Sequence, residues 1–418
     1  MPIYFSEDSN RFEGENLYGE TLARFDFSVF GGLITNSGTI AGPVTAKTAD
    51  WIEIYNTLDG TISKASGSPY AIELLGAGGK NFYNDGLITG GVRFGTGWDS
   101  FFNSGFVQGQ INLGSGDDQL VNQIIPGIDG GVTIGTITGG VFMGAGKDTV
   151  VNTGIMANVS LGAGEDEYRA SLSDFREFPA TADGIADAVF GQGGNDLLIG
   201  GRNADKFFGG TDDDQLNGYG GNDQLFGQAG NDTLFAGDGN DKVNGGGGDD
   251  FIDGGNNNDN LSGAAGNDTI FAGTGNDKVN GGNDDDIIHG YAGNDQLNGG
   301  SGNDTILGGL GRDTMTGGAG ADEFVFAANS GKDVIRDLGA GDTITIDLPL
   351  DVFDGFTQIM SHTTFTGPHA VIDLSGLFNE VSEAPFIYHG SELTLLNVGF
   401  ADLSPFTFGL LPDILIVG

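Results

Sequence analysis

Between residues 191 and 325 one large apolar residue recurs every nine positions. The series is Leu198, Phe207, Leu216, Leu225, Leu234, Val243, Ile252, Leu261, Ile270, Val279, Ile288, Leu297, Ile306, Met315 and Phe324. The three-residue unit centred on each points out, in and out, as a short strand with one buried side chain does. The repeat reads G-G-x-G-x-D-x-U-x, with U the apolar position. The residues before each strand must turn the chain, and glycine supplies the positive φ that turns need. Glycine holds the fourth position in eleven of the fifteen repeats. The others carry Asn203, Asp212, Asn257 and Asp284, residue types that best tolerate the left-handed region. Two nonapeptides make one flattened coil. Fifteen therefore predict about 7.5 coils stacked about 4.8 Å apart, a roll roughly 35 Å long. The fold class is all-β, a parallel β-solenoid.

The flanks carry looser patterns. From 31 to 170 the turns Gly95-Thr96-Gly97-Trp98-Asp99, Gly114-Ser115-Gly116-Asp117-Asp118, Gly144-Ala145-Gly146-Lys147-Asp148 and Gly162-Ala163-Gly164-Glu165-Asp166 follow alternating runs such as Gly131-Val132-Thr133-Ile134. Asparagine precedes a turn at Asn36, Asn84, Asn103 and Asn152. Spacings of about 18 to 30 residues predict the larger coils of an irregular parallel β-helix, with asparagines stacked as a ladder at equivalent corners. Such a helix either presents a polysaccharide-binding or assembly surface, or simply extends the roll. Residues 1–30 predict a cap over the first strand edge, and 171–190 a linker between two solenoids. Residues 326–418 predict a β-rich C-terminal cap, with paired strands in 332–338, 341–348, 370–374 and 393–398.

The chain has 418 residues, 79 of them glycine, with 30 phenylalanines and no cysteine. Disulfides and thiolate metal sites are thereby excluded. Absence of a three-residue glycine period excludes collagen. Against 58 acidic residues stand 16 lysines and arginines, a formal charge of −42. That surface repels nucleic acid and anionic lipid and attracts cations. No apolar run is long enough to cross a membrane. Met1–Asp8 lack a basic then apolar leader, so a Sec-type signal peptide is not expected.

The acids are periodic. Position six of the repeat holds Asp196, Asp205, Asp214, Asp223, Asp232, Asp241, Asp250, Asp259, Asp268, Asp277, Asp286, Asp295, Asp304, Asp313 and Asp322. Stacked coils bring carboxylates two repeats apart close together. At about 5 Å and an effective dielectric of 20 each pair repels by about 3 kcal/mol before screening. Divalent cations between the turns reverse that sign. Calcium prefers six to eight oxygens in flexible geometry, whereas magnesium demands a tighter octahedron. Between 191 and 325 there are 23 acidic and 5 basic residues, net −18, so about a dozen Ca2+ would more than offset the charge. Asp99, Asp118, Asp148 and Asp166 are further candidate ligands. Gly230–Gly246 recurs as Gly266–Gly282, a shift of two coils, as if the array grew by duplication.

The array resembles the RTX family of secreted bacterial proteins, whose repeats form a calcium-bound parallel β-roll. The resemblance implies that each ion lies between turns two repeats apart. Its ligands would be the carbonyls at positions two and four plus the Asp of one turn, and the carbonyls at positions one and three plus the Asp of the other. For one pair this implies Tyr219, Gly221 and Asp223 with Ala236, Asp238 and Asp241. Arg312, beside Asp313, departs from the usual Asn or Asp. The C-terminal strands resemble the end of serralysin-type proteins, and Asp413-Ile414-Leu415-Ile416-Val417-Gly418 resembles an uncleaved type I secretion signal, apart from the extra Gly418.

The enzymatic signatures of such proteins are missing. The histidines, His289, His362, His369 and His389, form no H-E-x-x-H, and there is no G-x-S-x-G. The Asp-Pro-His element of mannuronan epimerases is absent. The expectation is therefore a non-catalytic, secreted surface or matrix protein: an S-layer, fibre or adhesin component. It would use the type I secretion apparatus, fold on calcium and self-assemble as a homo-oligomer or filament, with surface polysaccharide a further partner. The alternative is a polysaccharide lyase or hydrolase with its site on the N-terminal β-helix, built from carboxylates and Arg or Tyr, such as Asp99, Arg93 or Tyr83.

Overall fold

A computed structural model describes residues 12–16, 21–22, 25–27, 32–42, 44–46, 51–126, 132–170, 185–186, 188–327, 330–339, 341–346, 363–366, 369–372, 392–395 and 408–409. The described residues are all β, with no helix, wound as a parallel solenoid. The chain divides into two compact units, Met1–Gly220 and Gly221–Gly418.

The first unit winds through three parallel sheets. One coil shows why. Lys80–Asn84 alternates buried and half-buried residues and forms the first face. Leu87–Thr89 forms the second face and Gly91–Phe94 the third. The G-x-G-x-D turn then returns the chain to the first face at Asp99–Asn103. Registers are exact: Phe82 lies between Ile54 and Phe101, and Leu120, Val150 and Tyr168 continue that buried column. The rings of Phe82 and Phe101 stack at 5.3 Å.

The predicted asparagine ladder is present at the corner between the first and second faces, and longer than expected. Asn36, Asn56, Asn84, Asn103, Asn122 and Asn152 are all buried. Each Nδ2 donates to the Oδ1 of the next, over 2.7–3.0 Å. Buried amides cost free energy unless paired, and here each pairs with its neighbour. The irregular coil length has a local cause: Ile124–Pro126 and Val132–Ile134 pair antiparallel and lengthen one coil. Stacking continues across the 171–190 stretch, where Ile185–Ala186 pairs with Ile155–Met156 and Val189–Gly193 with Val159–Ala163. From Leu197–Ile199 the chain then passes directly to the third sheet at Lys206–Thr211, and two faces replace three.

The second unit has two such parallel sheets, one through Lys242–Gly247 and the other through Phe251–Asn256. Positions eight and one both point inward, as Val243 and Gly245 do. Coiling continues past Val325. Lys332–Ile335 pairs with the strand Thr314–Ala319, and Thr343–Ile346 with Glu323–Phe326, rather than with each other. Thr363–Thr366, His369–Ile372 and Glu392–Leu395 then pair antiparallel, and the last lies parallel to Lys332–Ile335. The candidate secretion signal at 413–418 lies outside the described residues, as do His362 and His389.

Candidate metal centres

The fifteen position-six aspartates are all buried, none more than 5 % exposed. They form ladders. In the second unit the backbone N–H of Asp223 donates to Oδ1 of Asp241 at 2.7 Å, and the same bond links Asp241 to Asp259, Asp277, Asp295 and Asp313 in turn. A parallel column runs from Asp232 through Asp250, Asp268, Asp286 and Asp304 to Asp322. In the first unit Asp99, Asp118, Asp148, Asp166, Asp196 and Asp214 form one such column at 2.8–2.9 Å. The irregular spacing of Asp99 to Asp166 thus does not prevent their alignment.

The other carboxylate oxygen, Oδ2, is buried without a hydrogen-bond partner from Asp99 to Asp196 in the first column, from Asp241 to Asp313 and on to Asp333 in the second, and from Asp250 to Asp322 in the third. A buried unpaired carboxylate oxygen carries the full cost of desolvation. Burial accordingly pushes the carboxyls up: Asp118 and Asp259 to about 8, Asp148, Asp196, Asp250, Asp286 and Asp295 to about 7, and Asp166, Asp268, Asp304 and Asp313 to about 6. The ladder hydrogen bond pulls each down, and for most of them stacked carboxylates add to the rise; for Asp259 these are Asp241 and Asp277.

The backbone is drawn tightly around these oxygens. A Cβ on Gly245 would lie 2.1 Å from Oδ2 of Asp250, and one on Gly317 2.2 Å from Oδ2 of Asp322. At position four, a Cβ on Gly239 would meet the carbonyl oxygen of Gly221 at 1.6 Å, and one on Gly275 that of Asn257 at 1.8 Å. A Cβ on Gly281 would meet both Oδ2 of Asp286 at 2.3 Å and the carbonyl oxygen of Gly299 at 2.7 Å, so the unpaired Oδ2 and a position-one carbonyl of the next coil share one confined space. That donor set, all hard oxygen, fits calcium. Among the described residues no three His, Cys, Asp or Glu side chains converge as a cluster; an ion held here would need backbone carbonyls beside the carboxylates.

Asp212, Asn257 and Asp284 hold the expected positive φ of 78°, 79° and 72°, but Asn203 is not among the positive-φ residues. Position two is left-handed as well, at Gln192, Tyr219, Gln228, Ala264 and Tyr291, a requirement that the glycine count at position four did not reveal. Asp205 also differs from its column. Its Oδ2 accepts from the N–H of Gly201 at 2.9 Å. Of the carbonyl residues, Tyr219 lies in the first unit with its side chain exposed. In the second unit Ala236 is buried, the Asp238 carbonyl accepts from Gly221 N–H at 2.9 Å, and the Asp238 carboxylate accepts from Asn256 on the outside. Arg312 leaves the ladder at Asp313 intact.

Two ladder members do not follow the nine-residue period. Asp313 N–H donates to Asp333 and Asp322 N–H to Asp342, over 20 residues rather than 18. Asp333 is fully buried, with burial pushing it up to about 8. The sequence signal was Gly331-Lys332-Asp333 and Gly339-Ala340-Gly341-Asp342, the turn motif at a longer step. Arg93, Asp99 and Tyr83 do not converge. Asp99 is buried in its turn, Tyr83 faces outward on the first sheet, and Arg93 lies on the third, 3.8 Å from Glu73.

Residues 182–324 match, in overlapping windows, the family model of the RTX calcium-binding nonapeptide repeat. No curated protein matches the chain. Among solved structures it is similar to the AlgE6R3 subunit of the Azotobacter vinelandii mannuronan C5-epimerase, at 25% identity, 34% of this chain, 82% of that one and a TM-score of 0.27. It is similar to the extracellular lipase LipA from Serratia marcescens at 16% identity, over 58% of this chain, with a TM-score of 0.22; it spans only 44% of the lipase. A hyperactive, Ca2+-dependent, β-helical antifreeze protein from an Antarctic bacterium matches at 17% identity, over 80% of this chain and 88% of that one, with a TM-score of 0.37.

Proposed function

We propose that this chain, an array of RTX calcium-binding repeats set in a longer β-solenoid, is a secreted structural protein whose folding is driven by calcium. One observation carries the reading: columns of buried aspartates, as from Asp241 to Asp313 and from Asp250 to Asp322, in which one carboxylate oxygen has no hydrogen-bond partner. Asp196 to Asp322 with the turn carbonyls would hold about a dozen ions, and Asp99, Asp118, Asp148, Asp166 and Asp333 would extend the columns. Bound calcium would supply charge neutralisation and oxygen coordination between turns. Extracellular modules bind it at about 10⁻⁴–10⁻³ M, so the chain would stay unfolded in the cytoplasm and fold after type I export. Binding that requires the folded state stabilises that state.

A surface or matrix role, with self-assembly into oligomers or filaments, fits the exposed acids and the coil duplication. Electron microscopy of the protein with and without calcium tests it. Ordered assemblies should form on calcium addition, whereas uniform monomers at every concentration would remove this role. A second reading, a polysaccharide-active protein, is favoured by one feature. Tyr55, Tyr83 and Phe102 stack on the outside of the first sheet, with ring centroids 4.6 and 4.9 Å apart and Glu53 bonded to the Tyr55 hydroxyl. Half-exposed aromatic faces suit sugar rings. Incubation with alginate, pectin and related polymers separates the readings, because chain cleavage would mark an enzyme.

A further inference from the structure

The first column of carboxylates starts at a lysine. Lys80 pairs with Asp99 in the parallel sheet, so it stands at position six of its turn. Its neighbour in the preceding coil is the buried Ile52. Lys80 is fully buried, which is rare for lysine unless the charge is paired. Its backbone N–H donates to Asp99 Oδ1 at 3.0 Å, the same bond that links successive aspartates. Its Nζ donates to the carbonyl of Gly76 at 2.6 Å, to the carbonyl of Gly78 and to Asp99 Oδ1 at 3.3 Å. Gly76 and Gly78 occupy positions two and four of the Lys80 turn, as Gly95 and Gly97 do before Asp99 and Gly144 and Gly146 before Asp148.

We infer that the Lys80 ammonium is a built-in cation at the head of the column, sitting where calcium would sit between later turns. Its partners are the position-two and position-four carbonyls of one turn and the aspartate of the next. The substitution follows from charge. Between later turns two carboxylates face the ion, one from each coil. Here the preceding aspartate is missing, and a single carboxylate with two carbonyls suits a monovalent ammonium with three donors. The turns 76–80 and 95–99 are thus held together by the chain's own charge. The junction at the head of the column therefore needs no metal, and folding can start from a pair of turns that is ordered before calcium arrives.

This inference rests on the calcium reading of the aspartate columns, and the test keeps the two apart. The full-length chain, Lys80→Asp and Lys80→Met are compared by hydrogen exchange read peptide by peptide, in chelator and in calcium, with bound ions counted by native mass spectrometry. Wild type should show protection across 76–103 in chelator while the Asp223–Asp322 turns are protected only in calcium. Lys80→Met should lose that protection in chelator by about tenfold or more, equivalent to about 1.4 kcal/mol. Lys80→Asp should lose it in chelator, regain it in calcium and bind one ion more than wild type. Wild-type protection of 76–103 that depends on calcium, or unchanged protection in Lys80→Met, overturns the inference. A wild-type chain that binds no calcium overturns the calcium reading instead.

Discussion

Replacing Asp259 with asparagine should shift stability in opposite directions with and without calcium. Asp259 sits mid-column, buried, between Asp241 and Asp277. Asparagine keeps an Oδ1 to accept the Asp241 N–H, so the ladder bond survives. What changes is the second oxygen, which becomes an amide group facing turn carbonyls. Stacked carboxylates about 5 Å apart repel by about 3 kcal/mol at a dielectric of 20. With two neighbours, screened by salt and partial solvent access, the relief should total about 2 kcal/mol. In chelator the variant should therefore resist urea better than wild type. In calcium it loses an anionic ligand, and the calcium midpoint of folding should rise at least about tenfold, or about 1.4 kcal/mol. The control is Asp249→Asn, which removes the same charge from an exposed position-five carboxylate that accepts from Asn267 N–H. Calcium titrations followed by far-UV circular dichroism, with urea melts in chelator, give both quantities. Equal shifts in the two variants would refute the reasoning, because net charge alone would then explain them.

Acidification should imitate calcium. Burial holds Asp118, Asp259 and Asp333 near 8 and Asp250, Asp286 and Asp295 near 7, well above their unfolded values. Raised folded values mean that this stabilisation is complete below about pH 4 and is lost as pH rises through about 6 to 8; a chelated sample should gain β signal as pH falls, and calcium affinity should drop over the same window. Gly293→Ala should cost about 3 kcal/mol or more, because φ there is +151° and the new Cβ would lie 1.3 Å from the Gly275 carbonyl oxygen, whereas Gly247→Ala, with nothing closer than 3.9 Å, should change the urea midpoint little. Asn103→Ala leaves Asn84 Nδ2 and Asn122 Oδ1 without their partner and should cost about 2–5 kcal/mol, equally in calcium and chelator. Asp333→Ala should remove the acceptor of the Asp313 N–H and lower the number of bound ions by native mass spectrometry.

The period of the sequence carried most of the fold because each nonapeptide repeats one local solution. Val243 must face inward and Asp241 must end a turn whatever the rest of the chain does, so strands, turns and columns were legible from residue spacing alone. Less legible was anything set by the neighbouring coil. The left-handed Tyr219 and Gln228 carry no glycine to mark them. Asp333 and Asp342 fall outside a nine-residue count because the step between coils changes from 18 to 20. Asn56 and Asn122 join the ladder for a reason visible only in register. Asp205 shows the converse: it keeps the period perfectly, yet its Oδ2 bonds to its own turn. Lys80 ends the glycine turn Gly76-Ala77-Gly78-Gly79-Lys80, but a lysine at position six does not mark a ligand position, and only the sheet register places it opposite Asp99.

The most direct test of calcium as the folding ligand is a calcium titration of the full-length chain at neutral pH, followed by far-UV circular dichroism, with magnesium in parallel. The buried, unpaired oxygens predict a cooperative gain of β structure at about 10⁻⁴–10⁻³ M calcium, with magnesium ineffective at the same concentration. The same β content and urea midpoint in chelator as in calcium would contradict it.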